Sequence, residues 1–222
     1  MRLVTWNCNG AFRRKFETVS ALDPDLLVIQ ECEDPAFSSH DYRTWAGNYI
    51  WTGKGKNKGI GIFPRRGQSL ERLDWPDSGF QMFLPVRVDH KIDLIAVWTQ
   101  RSAQTNQAYI GQFWHYMQLH KSAWCENTII CGDFNSNTIW DQARRHWNHT
   151  DCVRELDELG FRSLYHQTLH RAARSGGEGD LLSTPRSQAS VSYRLRFCAR
   201  PTAYCGLRQS RCWRSSGLAV TE

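Results

Sequence analysis

The chain of 222 residues contains no apolar run approaching the roughly 18 residues that cross a bilayer, which excludes a helical membrane span. Its first ten residues, MRLVTWNCNG, lack the basic, apolar and small-residue succession of an export signal, so a cytoplasmic location is expected. No C-x-x-C pair occurs among the eight cysteines, at 8, 32, 125, 131, 152, 198, 205 and 212. Reduced thiols are the expectation for a chain without an export signal. The even spacing of Cys198, Cys205 and Cys212 matches no usual zinc arrangement.

Charge is absent in net terms from most of the chain. Residues 1–169 hold 19 Lys and Arg against 19 Asp and Glu, whereas residues 170–222 hold nine Arg, three acids and no Lys. The formal net charge of +6 therefore belongs to the last quarter. It gives no electrostatic reason to read the larger part as a nucleic-acid binder. Regular patterning also stops near His170: RAARSGGEGDLLSTPRSQAS shows neither helical nor strand periodicity.

What is present before that point alternates. RLVTW (2–6), LLVIQ (26–30), GIGIF (59–63), MFLPVRV (82–88), IDLIAVWT (92–99) and TIIC (128–131) read as strands. The continuous apolar runs suit strands covered on both faces. RKFETVSAL (14–22), residues 106–124 and DCVRELDELG (151–160) read as helices, the last stopped by Gly160. Strands alternate with helices and then follow one another, which predicts a layered α/β sandwich rather than a simple doubly wound sheet.

Polar residues end several of the apolar strands: Asn7 after the first, Glu31 after the second, and Asp133, Asn135 and Asn137 after TIIC. Singly, Asn7 reads as a turn residue, Glu31 as a solvated strand end and GDFN as a tight turn. Strand ends converge on one rim, where open α/β sheets bind ligands. Two carboxylates and two amides there suit a hard cation such as Mg²⁺, which polarises phosphoryl oxygens and lowers the pKa of bound water. That chemistry favours phosphate-ester hydrolysis.

In this order, WNCNG, IQE, KGIGIF and CGDFNSN resemble the endonuclease/exonuclease/phosphatase superfamily, which includes exonuclease III-like, apurinic-site and DNase I-like nucleases and lipid and inositol phosphodiesterases. The resemblance covers residues 1–169. It implies a four-layer α/β sandwich, two mixed β-sheets flanked by helices, with Mg²⁺ or Mn²⁺ at one rim and a phosphodiester, of nucleic-acid type, as substrate. It implies Glu31 and Asp133 as metal ligands, with Asn7 supporting the metal–phosphate cluster. Asp133 would orient or deprotonate the attacking water, and Asn135 and Asn148 (in WNHT, 147–150) would bind the phosphate. A monomer is expected. The alternatives are a phospholipid or inositol-phosphate hydrolase of the same superfamily, and a non-catalytic protein whose Arg-rich tail grips nucleic acid.

Two strings of the family pattern do not occur: a late HIDY and a final SDH, whose His assists at the phosphate. Both would fall within residues 170–222. A frameshift explains this coincidence. SVSYRL (190–195) can be spelled TCC GTA TCA TAT CGA CTA followed by C, which one base on reads Pro-Tyr-His-Ile-Asp-Tyr. GDLLSTPR (179–186) and the C-terminal codons permit a family-like strand and Ser-Asp-His in the same way. The expectation is therefore an endonuclease/exonuclease/phosphatase-like domain over 1–169, an aberrant, disordered basic tail over 170–222, missing C-terminal strands, and weak or no activity. Cys32 and Cys131, although beside the site, are read as packing residues, as are Trp45, Trp51, Trp75 and Trp98.

Overall fold

The computed structural model describes residues 1–163, 191–195 and 218–221, the last two stretches by their backbone alone. In chain order the elements are β1 (Leu3–Asn7), α1 (Phe16–Ser20), β2 (Leu26–Cys32), α2 (His40–Ala46), β3 (Ile50–Gly55), β4 (Lys58–Pro64) and β5 (Leu70–Arg72). There follow β6 (Phe83–Val88), β7 (Ile92–Trp98), α3 (Ile110–His120), β8 (Thr128–Asp133), α4 (His149–Glu158), β9 (Phe161–Ser163), β10 (Val191–Leu195) and β11 (Leu218–Thr221). One sheet has the order β11-β1-β2-β4-β3 and the other β5-β6-β7-β8-β10-β9. Both mix parallel and antiparallel pairs: β1 runs parallel to β2 and β7 parallel to β8.

Side-chain alternation separates three cores and so makes four layers. Leu3, Leu26, Val28, Ile60 and Ile62 of the first sheet meet Leu84, Val86, Leu94, Ala96 and Cys131 of the second in the central core. The intervening residues Val4, Leu27, Ile29 and Phe63 point outward, onto Val19 of α1 and Tyr42 and Ala46 of α2. On the far side, Phe83, Ile95, Val97 and Ile130 pack under Phe113 and Met117 of α3 and Cys152 and Leu156 of α4. Burial on both faces is why the strands read as continuous apolar runs. Truncating one such side chain, Ile62 for example, leaves a void that typically costs about 2–5 kcal/mol.

Several elements depart from their sequence reading. The helix expected over 106–124 is α-helical only over Ile110–His120, with single 3₁₀ turns at Thr105–Gln107 and Lys121–Ala123. The first helix spans five residues. Asn7, Glu31 and Asp133 lie inside the ends of their strands rather than after them. Strand β3, with the sequence IWTGKG, continues past its strand-forming Ile50–Thr52 into Gly and Lys because it pairs with β4 from Ile50↔Ile62 to Gly55↔Lys58. Helix α4 begins on a capping box: the Asn148 side chain accepts from the backbone N–H of Asp151, whose carboxylate accepts from the Asn148 N–H.

The expectation of missing C-terminal strands is corrected at two places. β11 pairs antiparallel with β1, from Leu3↔Thr221 to Trp6↔Leu218, and β10 lies between β8 and β9. Exposed strand edges present N–H and C=O groups that any extended segment can satisfy, a tendency that aperiodic composition does not reveal. The rest of the proposed tail lies outside the described residues. Among the described residues no helix is long and apolar enough to cross a membrane.

Candidate active site

The parallel pairs β1–β2 and β7–β8 deliver their C-terminal ends to one rim. Asn7 closes β1, Glu31 lies one residue from the end of β2 and Asp133 closes β8. The backbone N–H of Asn9 donates to Asn7 Oδ1 at 3.0 Å, which orients the amide so that its NH₂ faces the site. From there Asn7 Nδ2 donates to Glu31 Oε1 at 3.0 Å and to Asp133 Oδ2 at 2.6 Å. Carboxylates that are 102 positions apart in the chain thus face each other across one amide nitrogen.

Glu31 reaches this place through a break in its strand. Pairing of β2 with β4 shifts register between Gln30 and Cys32, and Glu31 takes the left-handed conformation at φ 62°. A bulge of this kind re-aims a side chain that regular alternation would send elsewhere. Its second oxygen, Oε2, accepts from Lys58 Nζ at 2.5 Å. Lys58, the first residue of β4, opens the KGIGIF string, but that string reads as an apolar strand and does not mark a charge at the site.

Asp133 is fully buried. It is placed by Gly132, where φ is 138° and an added Cβ would sit 2.0 Å from the carbonyl oxygen of Val97, so no other residue fits. Burial raises the Asp133 carboxyl above the usual carboxylate range. The Asn135 N–H and the Asn7 amide pull it back down, and the Glu31 charge pushes it up. The Asn135 N–H donates to Asp133 Oδ1 at 2.9 Å, from a left-handed Asn135 at φ 44°. Asn135 Nδ2 donates to the carbonyl of Thr99 at 2.8 Å, and the Thr99 hydroxyl donates to the carbonyl of Phe134 at 2.5 Å. Thr99, which sequence reasoning missed, therefore ties the β8 loop to the end of β7.

Asn7, Glu31, Asp133 and Asn135 are brought together. Asn148 is not part of that cluster. Its Nδ2 donates to the carbonyls of Gln142 and Arg145 at 3.0 and 2.9 Å, and its Oδ1 accepts from the Gln142 N–H at 3.0 Å. All of the Asn148 amide is engaged in this cap, so the expected phosphate contact would require one of these bonds to be given up. The next residue, His149, places Nδ1 3.1 Å from the Ser136 hydroxyl and so links α4 to the loop after Asp133. Cys32 and Cys131 are wholly buried; burial raises both thiols, Cys131 to about 12, so neither is a thiolate nucleophile. Trp98 lies in the central core, Trp51 donates to the Cys32 carbonyl at 3.3 Å, Trp45 packs on Phe12 and Phe16, and Trp75 stacks on His120.

Among the described residues no three acidic, His or Cys side chains converge. Two carboxylates do, and the hydrogen-bond donors to Asp133, the Asn135 N–H and the Asn7 amide, carry no charge. Mg²⁺ is commonly held by one or two carboxylates, with waters and substrate phosphate completing its octahedron. The donor set fits such an ion, with Glu31 and Asp133 as the residues that would hold it.

The two facing sheets with helices outside, and a polar rim at the ends of β1, β2 and β8, make a fold shared with solved nuclease and phosphatase structures. An AP endonuclease from Archaeoglobus fulgidus superposes with TM-score 0.63 at 14% identity, covering 100% of this chain and 98% of that one. The 3′ phosphatase NExo from Neisseria, in a structure bound to a product DNA hairpin, gives 0.61 at 16% identity, with 100% and 98% covered. The endonuclease domain of a telomere-specific non-LTR retrotransposon gives 0.60 at 15% identity, with 99% and 95% covered. By sequence, the chain matches no family model and no curated protein.

Proposed function

We propose that this chain is a divalent-cation-dependent phosphodiester hydrolase of nuclease type, acting as a monomer and weak in its present form. The observation that carries the reading is the single amide of Asn7 joined to both Glu31 and Asp133. Solved structures with this fold include an apurinic endonuclease and a phosphatase bound to DNA, which favours a nucleic-acid substrate over a phospholipid or inositol phosphate. A bound cation supplies charge for a phosphoryl oxygen and acidity for a water. Asp133, raised by burial, accepts a proton from the attacking water or orients it. Asn7 holds the carboxylates in register, and Asn135 offers its amide to the phosphate. No histidine occurs after position 170, so residues 171–222 supply no imidazole to assist at the phosphate. Loss of such an acid–base group typically costs on the order of 10²–10⁴ in rate.

The test is cleavage of an abasic-site duplex and of a generic diester, with Mg²⁺, with Mn²⁺ and with chelator. Slow, cation-dependent turnover that disappears in Glu31→Ala is the expected result. Turnover that survives both chelator and Glu31→Ala would overturn the reading.

A further inference from the structure

Each oxygen of Glu31 already accepts one hydrogen bond. Oε1 accepts from Asn7 Nδ2 at 3.0 Å and Oε2 accepts from Lys58 Nζ at 2.5 Å. A carboxylate offers about four lone-pair sites, so a cation can still bind Glu31, but it then sits at close range to one of these donors. The two differ in how readily they yield. Asn7 is locked by the Asn9 N–H and shared with Asp133. Lys58 is an ammonium on a flexible four-carbon stem, and its side chain is 52% exposed against 11% for Glu31. It can swing into water without leaving a buried group unpaired. It also carries the charge that repels an incoming cation at close range.

We propose that Lys58 competes with a divalent cation for the Glu31 carboxylate and so sets how tightly the rim holds that cation. The inference rests on the cation-dependent reading above and gives Lys58, which opens the KGIGIF motif, a role that the motif did not specify. The geometry limits the competition to one carboxylate: Lys58 reaches Glu31, while the amide and N–H that bond Asp133 are neutral. The stem of Lys58 passes beside Gly10, where a Cβ would lie 3.7 Å from Cε.

The experiment titrates Mn²⁺ into the full chain by calorimetry, with thermal denaturation in parallel, for the wild type, Lys58→Gln, Lys58→Met and Lys58→Arg. Removing the charge should tighten Mn²⁺ binding roughly tenfold in both Lys58→Gln and Lys58→Met, while Lys58→Arg stays near wild type. In thermal denaturation, Lys58→Gln should be less stable than wild type without cation and regain that loss at saturating Mn²⁺. A salt bridge that merely tethers the hairpin would lower stability equally in both conditions and leave the affinity unchanged, and either of those results would overturn the proposal. Equal or weaker Mn²⁺ affinity in the neutral variants would overturn it while leaving the cation-dependent reading intact. No Mn²⁺ binding in any of the four chains would overturn both.

Discussion

Asn7 does two jobs with one amide. It keeps two like charges close together, and it sets the lone pairs of Asp133 by donating to Oδ2 while the Asn135 N–H donates to Oδ1. Asn7→Ala should therefore lower turnover roughly 10²-fold, as loss of a preorganised donor does elsewhere, with a much smaller change in thermal midpoint because Asn7 lies at the strand end. Steady-state rates and melting curves of the same preparation check this; a rate within threefold of wild type would show that the bridge is dispensable. At this scale the residue types were legible: an asparagine and two acids at strand ends suggest oxygen ligands for a cation. The sharing of one nitrogen was not, since it depends on the Asn9 N–H turning the amide.

At the scale of elements, local order reflects what each segment packs against. Strand β2 bends at Glu31 because β4 slips register there, and nothing in LLVIQEC marks the slip. Helix α3 shows the converse. Its inner face was readable from residues three and four apart, but its C-terminal histidine takes a role only the fold assigns. His120 is buried, stacks on Trp75 at 5.5 Å and approaches Tyr116 at 4.4 Å, and its Nε2 has no hydrogen-bond partner among the described residues. Burial lowers its pKa, against an opposing hydrogen bond to the Pro76 carbonyl. The unfolded chain therefore takes up the proton first. Stability from this group is complete above the ordinary histidine value of about 6.5 and is lost as pH falls through that value toward the lower folded one. The urea midpoint should fall between about pH 7.5 and about pH 5.5, and His120→Phe should flatten that dependence. An unchanged slope in the variant would assign the effect to another group.

At the scale of the molecule, the C-terminal quarter bears on the proposed weak activity. Backbone pairing puts β11 on the edge of β1 and β10 between β8 and β9, so both sheets are longer than the pattern over 1–169 foretold. Pairing satisfies an edge but does not by itself supply the acid–base group that the proposed function calls for. We propose that residues 170–222 descend from a frame-shifted segment. Sequencing the gene across codons 165–225 should show an open +1 frame containing a His-Ile-Asp-Tyr-like string and a terminal Ser-Asp-His. Restoring that frame should raise turnover by about 10²–10⁴. Early stops in the +1 frame would end the idea.

The alternation of apolar strands with helices, and the polar residues that close three of those strands, were settled by the sequence itself. Both depend on period and order, which are local properties of a chain. The left-handed turn of Glu31, the close approach of Gly132 to Val97 and the seating of Lys58 on Glu31 were decided by tertiary structure. Each turns on strand register or on contact between segments distant in sequence, and a shift of one residue in register would send those side chains to the opposite face.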